Sequence, residues 1–247
     1  MKRRALHKLL SLLCLLALLS QGCSVEAQQP GPRPGTRLIV WLDLSSSVSG
    51  EQRTAWLQEA KKIIAQLAAT DSIFVFGIHE ATLGAGPLYI GHMPALRTNA
   101  SLHERLQVHA AQHKVREEAA EAIKQALSGK ANAKQTDLFG ALDRIRPDDK
   151  GRPTVHYFFS DMEHATAELN MEVTPLAKNM QSLVNNVVKR HGWHSNHLAE
   201  TRVNCILPGA RGRSKVNDRL VLERFWGDLF RTVGAKLENF ETYLKTS

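Results

Sequence analysis

The chain has 247 residues, with 32 Lys and Arg against 24 Asp and Glu, for a formal net charge of +8. Its first 23 residues hold four basic and no acidic side chains, so the remainder has 28 basic and 24 acidic ones, a net charge of +4. That balance is ordinary for a globular domain. The densest basic run, 211–215, contains no aromatic residue, so a nucleic-acid surface is not expected.

The amino end has the pattern of an export signal. A basic start precedes the apolar stretch 9–19, which is about 17 Å long as a helix and too short for a hydrocarbon core of about 30 Å. The segment ending at Cys23 resembles the cleavage box of bacterial lipoproteins, in which the cysteine becomes lipidated. Ser20 stands where that box prefers Leu. The pattern leaves two alternatives, lipidation of Cys23 or ordinary cleavage nearby, for example after Ala27.

Either alternative predicts export from the bacterial cytoplasm, most simply to the periplasm. If Cys23 is lipidated, Ser24 beside it favours the outer membrane by analogy with other lipoproteins. Residues 24–36 are rich in Gln, Pro and Gly and predict a semi-extended tether. Residues 37–247 predict a single domain, in which Cys205 lies in an apolar run and is expected to be a buried, inert thiol.

The domain opens with alternating strand and helix patterns. The apolar run 37–42 predicts a buried strand. A helix follows, and the spacing of Ser49 and Gln52 at its start is that of a capping box. A second strand is predicted over 72–78. The apolar face of the helix comprises Trp56, Ala60, Ile63, Ile64 and Leu67.

Residues 80–131 have the pattern of an insertion. The segment 84–91 predicts a loop with a short strand, and 101–128 a long, charge-rich helix. Two of its three histidines are four residues apart, a spacing compatible with a metal on a helix. The Glu that zinc hydrolases place after the first of them is absent, so a solvated helix face is favoured. The histidines are His103, His109 and His113.

The carboxyl half continues the alternation. A strand is predicted over 155–159, an amphipathic helix over 175–190, and a last helix over 218–233 that ends at Gly234. The segment 237–244 fits either an edge strand or a short helix. The last helix is expected to bury Leu220, Phe225, Trp226, Leu229 and Phe230, and the cluster of His191, His194 and His197 to form a polar surface loop rather than a transition-metal site. This order of elements predicts an α/β domain with a doubly wound, mostly parallel central sheet flanked by helices.

Polar side chains follow two of the predicted strands where each strand ends. Asp43 follows the first strand, with Ser45 and Ser47 beside it, and Asp161 follows the strand at 155–159. Ligands bind at this edge of an open α/β sheet, where loops distant in sequence converge. Carboxylate and hydroxyl oxygens suit Mg²⁺, or alternatively Mn²⁺ or Ca²⁺, better than zinc. The alternative is that the serines form only a turn and a helix cap and that both carboxylates are solvated.

These residues resemble the metal-ion-dependent adhesion site of von Willebrand factor A-type domains. The family has Asp-x-Ser-x-Ser after its first strand, a Thr in a middle loop and an Asp after its fourth strand. The matching positions, one by one, are Asp43, Ser45, Ser47, Thr136 and Asp161. The resemblance covers about residues 36–247. It implies that the hydroxyls contact the metal, that the aspartates bind it directly or through water, and that an acidic side chain of a partner completes the shell.

The chain departs from the family pattern at one place. Many members have Gly after the last Asp, whereas Met162 and Glu163 stand here. Glu163 is expected to be exposed rather than to act as an internal competitor for the metal.

The resemblance implies a metal-dependent adhesion or scaffolding module that binds an exposed Asp or Glu of a protein partner. An enzyme is disfavoured, because the chain has no G-x-S-x-G elbow, no phosphate-binding glycine loop and no H-E-x-x-H motif. Two alternatives stay open. The first is a structural or assembly subunit of an envelope complex with a structural metal. The second, less favoured, is a metal-dependent phosphohydrolase.

Overall fold

The computed structural model describes residues 35–46, 48–129, 133–145, 151–209 and 216–244. The predicted leader, Cys23, all but the last two residues of the tether, and Ser47 lie outside the described residues. Within these ranges, no helix combines the length and the apolar character needed to cross a membrane. All of them belong to one compact unit.

Six strands form one central sheet in the order β3-β2-β1-β4-β5-β6. Their bounds are β1 Arg37–Asp43, β2 Ser72–Ile78, β3 Tyr89–His92, β4 Thr154–Phe159, β5 Thr201–Ile206 and β6 Lys236–Glu241. Neighbouring strands pair in parallel, except that β3 runs antiparallel to β2. The predicted mostly parallel sheet is confirmed. The chain winds outward from β1 to β3 on one side and from β4 to β6 on the other, so the strand order reverses between β1 and β4, which is where ligands bind in such sheets.

Helices cover both faces of the sheet. Their bounds are α1 Gly50–Ala65, α2 Leu102–Ser128, α3 Leu138–Arg144, α4 Met180–Arg190 and α5 Arg219–Thr232. Helices α1 and α2 contribute to the core on one face, and α3, α4 and α5 to the core on the other. The central strand shows why, since Ile39 and Trp41 point into one core while Val40 and Leu42 point into the other. The doubly wound arrangement is therefore confirmed.

Local signals locate the helix starts. Ser49 and Gln52 form a complete capping box at α1, and Ser101 forms another with Glu104 at α2. All three histidines of α2 are exposed, which confirms its solvated face. Cys205 is fully buried on β5, and burial raises the pKa of its thiol, as expected of an inert residue.

Three expectations about the carboxyl half need correction or refinement. Leu220 is 73% exposed, not buried, because the buried residues of α5 follow the spacing of Leu222 and Phe225 and Leu220 lies about half a turn away from that face. Helix α4 begins only at Met180, since the backbone at Asn179 is not helical and separates it from a 3₁₀ turn over Leu176–Lys178. The ambiguous segment near the carboxyl end is the edge strand β6.

Gly234 makes the turn between α5 and β6 and lies in the left-handed region with φ +90°. A Cβ at this position would overlap the carbonyl oxygen of Ser195. Gly192 also has a positive φ, +64°, but a Cβ there would meet no neighbouring atom. An alanine at Gly192 therefore has only the cost of the left-handed backbone, whereas an alanine at Gly234 has the cost of steric overlap as well.

We expect Gly234→Ala to lower the free energy of unfolding by about 3 kcal/mol and Gly192→Ala by about 1 kcal/mol, because only the first adds overlap to left-handed strain. Urea unfolding of both variants at one temperature measures the difference. Equal losses would contradict the tight approach of Ser195 to this turn.

Candidate metal centre

Three segments meet at the carboxyl edge of the sheet, beside the point where the strand order reverses. Ser45 follows β1, Thr136 precedes α3, and Asp161 follows β4. The backbone joins these segments in pairs, through a parallel bridge between Ser45 and Ala133 and an antiparallel bridge between Thr136 and Ala165. The amide of Ala165 donates to the carbonyl of Thr136 at 3.0 Å. The segments that carry the predicted ligands are thus held together by main-chain contacts.

Asp43 is the buried centre of this edge. Its side chain has no exposed surface. Oδ1 accepts a hydrogen bond from the amide of Ser45 at 2.9 Å, and Oδ2 accepts one from the hydroxyl of Ser160 at 2.8 Å. Burial raises the pKa of the Asp43 carboxyl, while hydrogen bonds from Ser45 and Ser160 and the charge of Arg53 lower it in part. An ionised carboxylate in this position is stabilised by any cation that comes within reach.

Ser160 is a site residue that the motif did not reveal. It is fully buried between β4 and Asp161. Its hydroxyl donates to Asp43 Oδ2 and accepts from the amide of Met162 at 3.0 Å. It therefore joins the end of β1 to the turn after β4. The signal in the sequence is a hydroxyl directly after strand β4, but its partner is 117 positions away.

The turn after β4 has an unusual backbone. Oδ1 of Asp161 accepts from the amide of Glu163 at 3.0 Å, and Met162 between them has φ +61°. A residue with a side chain loses about 1–2 kcal/mol in this left-handed region, which is why glycine suits the position in many members of the resembled family. Here Met162 is buried, and its carbonyl accepts from Trp226 Nε1 at 2.8 Å. Packing and this hydrogen bond hold the methionine in place.

The expectation that Glu163 is exposed is wrong, since only 4% of its surface is exposed. The tight turn at Met162 directs the chain back toward the sheet, so Glu163 and His164 are both buried. Asp161 and Glu163 also line a cavity of about 540 Å³, together with Leu222 and Phe240. This cavity gives a path from the solvent to the Asp161 side of the site.

Thr136 leads directly into α3. It is 4% exposed, and the next residue, Asp137, caps the helix by accepting from the amide of Gly140 at 2.8 Å. His164 from the segment after β4 accepts at Nδ1 from the amide of Leu138 at 3.1 Å. Burial lowers the pKa of His164 to about 3, so the ring stays neutral and acts as a fixed hydrogen-bond acceptor for this helix start.

Arg53 of α1 connects the site to the end of α2. It is buried, and its guanidinium donates to the carbonyl of Ser45 at 3.0 Å and to those of Leu127 and Gly129 at 3.3 and 3.1 Å. The last two belong to the end of α2. Helix α2 therefore ends against the segment that carries Ser45.

The donor set fits a hard divalent cation. Two aspartates and the hydroxyls of Ser45 and Thr136 lie on segments joined at this edge, with Ser47 outside the described residues. The oxygens of Asp43 accept hydrogen bonds from the Ser45 amide, the Ser45 side chain and the Ser160 hydroxyl, and a carboxylate has about four lone-pair sites, so one remains for a ligand. Such oxygens are ligands for Mg²⁺, Mn²⁺ or Ca²⁺.

The cluster of His191, His194 and His197 differs in part from the polar surface loop that the sequence predicts. Across the described ranges, no three His, Cys, Asp or Glu side chains come together as a metal-binding group. His194 is exposed, but Trp193 is buried and the side chain of His191 is only 14% exposed. The prediction of a polar surface loop fits His194 and is wrong for His191, because the neighbouring Trp193 packs into the core with Phe139 and draws His191 inward.

No protein-family model matches the chain, and no curated protein matches it. Among solved structures, proximal thread matrix protein 1 from the mussel byssus aligns with a TM-score of 0.44 and 12% identity, over 83% of this chain and 44% of that one. A von Willebrand factor type A structure from Catenulispora acidiphila aligns with a TM-score of 0.45 and 15% identity, over 83% of this chain and 38% of that one.

The VWA domain of SpRpn10 aligns with a TM-score of 0.31 and 10% identity, over 85% of this chain and 90% of that one. The chain spans less than half the length of the first two structures. All three TM-scores lie below 0.5, so the fold class rests on the chain's own sheet order and helix layers.

We expect Ser160→Ala to lower the free energy of unfolding at pH 7 by about 2 kcal/mol, since it removes one hydrogen bond from a buried carboxylate and another from a buried amide. The same change raises the pKa of Asp43 further. The loss should therefore shrink as the pH falls through that pKa and the carboxyl becomes neutral. Unfolding in urea at several pH values measures it.

Ser46→Ala is the matched control, because Ser46 is exposed in the segment after β1 and should change stability by less than about 0.5 kcal/mol. A loss at Ser160 that is the same at every pH would show that the hydroxyl does not act on Asp43.

Proposed function

We propose that this protein is a metal-dependent protein-binding module of the von Willebrand factor A type. In this proposal, Mg²⁺ lies at the carboxyl edge of the sheet and binds an acidic side chain of a protein partner. Its ligands, directly or through water, are Asp43, Ser45, Ser47, Thr136 and Asp161. The observation that carries the proposal is the joining of the three ligand-bearing segments by main-chain bridges around the buried carboxylate of Asp43.

The chemistry of the donors supports an adhesive role. Hydroxyls carry no charge, so a cation held by two aspartates and three hydroxyls keeps enough positive charge to attract another carboxylate. The partner's oxygen would replace a bound water on the cation. The cavity beside Asp161 leaves room for such a side chain to approach from the solvent.

The burial and the hydrogen bonds of the Asp43 carboxylate favour a binding role over catalysis. Asp43 is fully buried and both of its oxygens already accept hydrogen bonds. A general base needs a free approach to the proton that it removes, whereas a carboxylate that orders a ligand shell through bound water does not. The same geometry also serves a structural metal, and the two experiments below separate these roles.

The proposed location is outside the cytoplasm, in the periplasm, with an anchor at Cys23 if that residue is lipidated. The support comes from the basic and apolar pattern of the first 23 residues. A module held by the tether at 24–36 would meet partners in the cell envelope.

We expect Mg²⁺ at ten times its Kd to stabilise the folded protein by about 1.4 kcal/mol, which raises Tm by about 4 °C for a domain of this size. Asp43→Asn should abolish the rise, because the amide cannot supply the negative charge. Glu172→Gln, which changes an exposed carboxylate after β4, should keep it. Thermal unfolding with Mg²⁺ and with EDTA measures all three proteins, and equal shifts in all of them would place the cation elsewhere.

We expect the leaderless protein to capture a partner from an envelope extract in Mg²⁺ and to lose it in EDTA. Asp43→Asn should also lose the partner while keeping the wild-type circular dichroism spectrum. Mass spectrometry of the captured material identifies the partner. A partner retained in EDTA and by the variant would place recognition on another surface and reduce the cation to a structural role.

A further inference from the structure

His191 lies between two carboxylates that belong to different segments of the candidate metal centre. Its Nδ1 is 2.7 Å from Asp143 Oδ2, and its Nε2 is 3.1 Å from Glu168 Oε2. Asp143 is on α3, the helix that follows Thr136, and Glu168 is on the segment that follows Asp161. Each ring nitrogen faces a carboxylate oxygen, and carboxylates only accept, so both nitrogens must donate. Two carboxylate acceptors at these distances therefore favour the imidazolium form.

The surroundings hold this arrangement in one geometry. Trp193 stacks on the His191 ring at 4.6 Å, and its Nε1 donates to Asp143 Oδ1 at 2.7 Å. The Phe139 ring of α3 meets the edge of His191 at 5.6 Å. Arg190, the residue before His191, is 3.4 Å from the other oxygen of Glu168. Both carboxylates are thus bound on both oxygens, and the three elements are tied to each other.

The charged and titratable groups around His191 come from every element packed against it. Helix α3 supplies Asp143 and Asp137, the segment after β4 supplies Glu168 and His164, and α4 supplies Arg190; His197 lies beyond the Trp193 ring. The hydrogen bond that His191 donates to Asp143 raises the pKa of His191, and burial opposes it. His164 contributes no charge above about pH 4, because burial lowers its pKa to about 3.

We propose that the His191 imidazolium is a positioning group that holds the Thr136 segment against the Asp161 segment, and that divalent-cation affinity is therefore linked to its protonation. The proposal rests on the proposed function. A neutral imidazole has one N–H, so only one of the two carboxylates keeps its hydrogen bond. The other then faces a nitrogen lone pair, which is repulsive, and the two ligand-bearing segments lose this tie.

The sign of the linkage is distinctive. A histidine with a raised pKa contributes its stabilisation fully below the ordinary value of 6.5, and the contribution is lost as the pH rises through the raised value. Cation affinity should therefore fall on the alkaline side. Two simpler effects have the opposite sign, since fewer protons compete for carboxylates at higher pH, and loss of a nearby positive charge favours a cation.

The first measurement needs no metal. NMR follows the ring of His191 from pH 6 to 9, and hydrogen exchange follows the Ala165 amide, which donates to Thr136 across the two segments. After correction for intrinsic base catalysis, protection of Ala165 should fall at least threefold with the titration of His191. The amide of Leu88, which donates to Val75 away from this cluster, should keep its protection.

The second measurement is Mg²⁺ affinity by calorimetry over the same pH range. We expect the wild-type affinity to fall at least threefold as His191 loses its proton. His191→Gln should show no such fall, and His194→Gln, which changes an exposed neighbouring histidine, should follow the wild type. The wild-type profiles test the proposal even if His191→Gln fails to fold.

Three results would count against these ideas in distinguishable ways. Constant Ala165 protection through the titration of His191 would overturn the positioning role. Mg²⁺ affinity that stays level or rises with pH would overturn the linkage and leave the proposed function intact. Absence of Mg²⁺ binding at every pH would overturn the proposed function, and the cation linkage with it.

Discussion

A carboxylate that is fully buried at the end of the central strand is the constraint on which this site depends. Burial destabilises the ionised form of Asp43. The Ser45 amide, the Ser160 hydroxyl and the charge of Arg53 stabilise it. Each of these groups comes from a different element, so the carboxylate also serves as a common attachment point for the edge of the sheet. A site built in this way is organised before any ligand arrives, which lowers the ordering cost of binding.

The groups that position the candidate ligands are mostly residues that are not themselves candidate ligands. Arg53 ties the Ser45 segment to the end of the long helix α2, and His164 connects the segment after β4 to the start of α3. Farther out, His191 bridges Asp143 and Glu168. The segments that carry the candidate ligands contribute Phe139 and Met162 to the core, and these polar contacts add further ties between the segments. Such contacts are sensitive to charge state, whereas the hydrophobic cores on either face of the sheet are not.

The turn at Met162 shows how the chain accommodates a departure from the pattern that it resembles. A left-handed residue with a side chain is strained, and here burial of the methionine and the hydrogen bond from Trp226 compensate. The same turn brings Glu163 inside, next to Asp161 at the edge of the cavity. The departure in sequence therefore changes which side chains line the candidate site, and not only its backbone.

Local sequence determined much of the fold. The apolar runs of β1, β2 and β4, the capping boxes at Ser49 and Ser101 and the long helix α2 follow from periodicity and side chains within a few residues of each other. The Asp-x-Ser-x-Ser motif marked the edge of the sheet for the same reason, because it directly follows a strand. Only the tertiary structure decided that Glu163 is buried, that Leu220 is exposed, that the last segment is a strand, and that Ser160 and His191 connect distant segments. These outcomes depend on partners that are far away in the chain, such as Asp43 for Ser160 and Asp143 for His191, and no local pattern specifies which distant groups will meet.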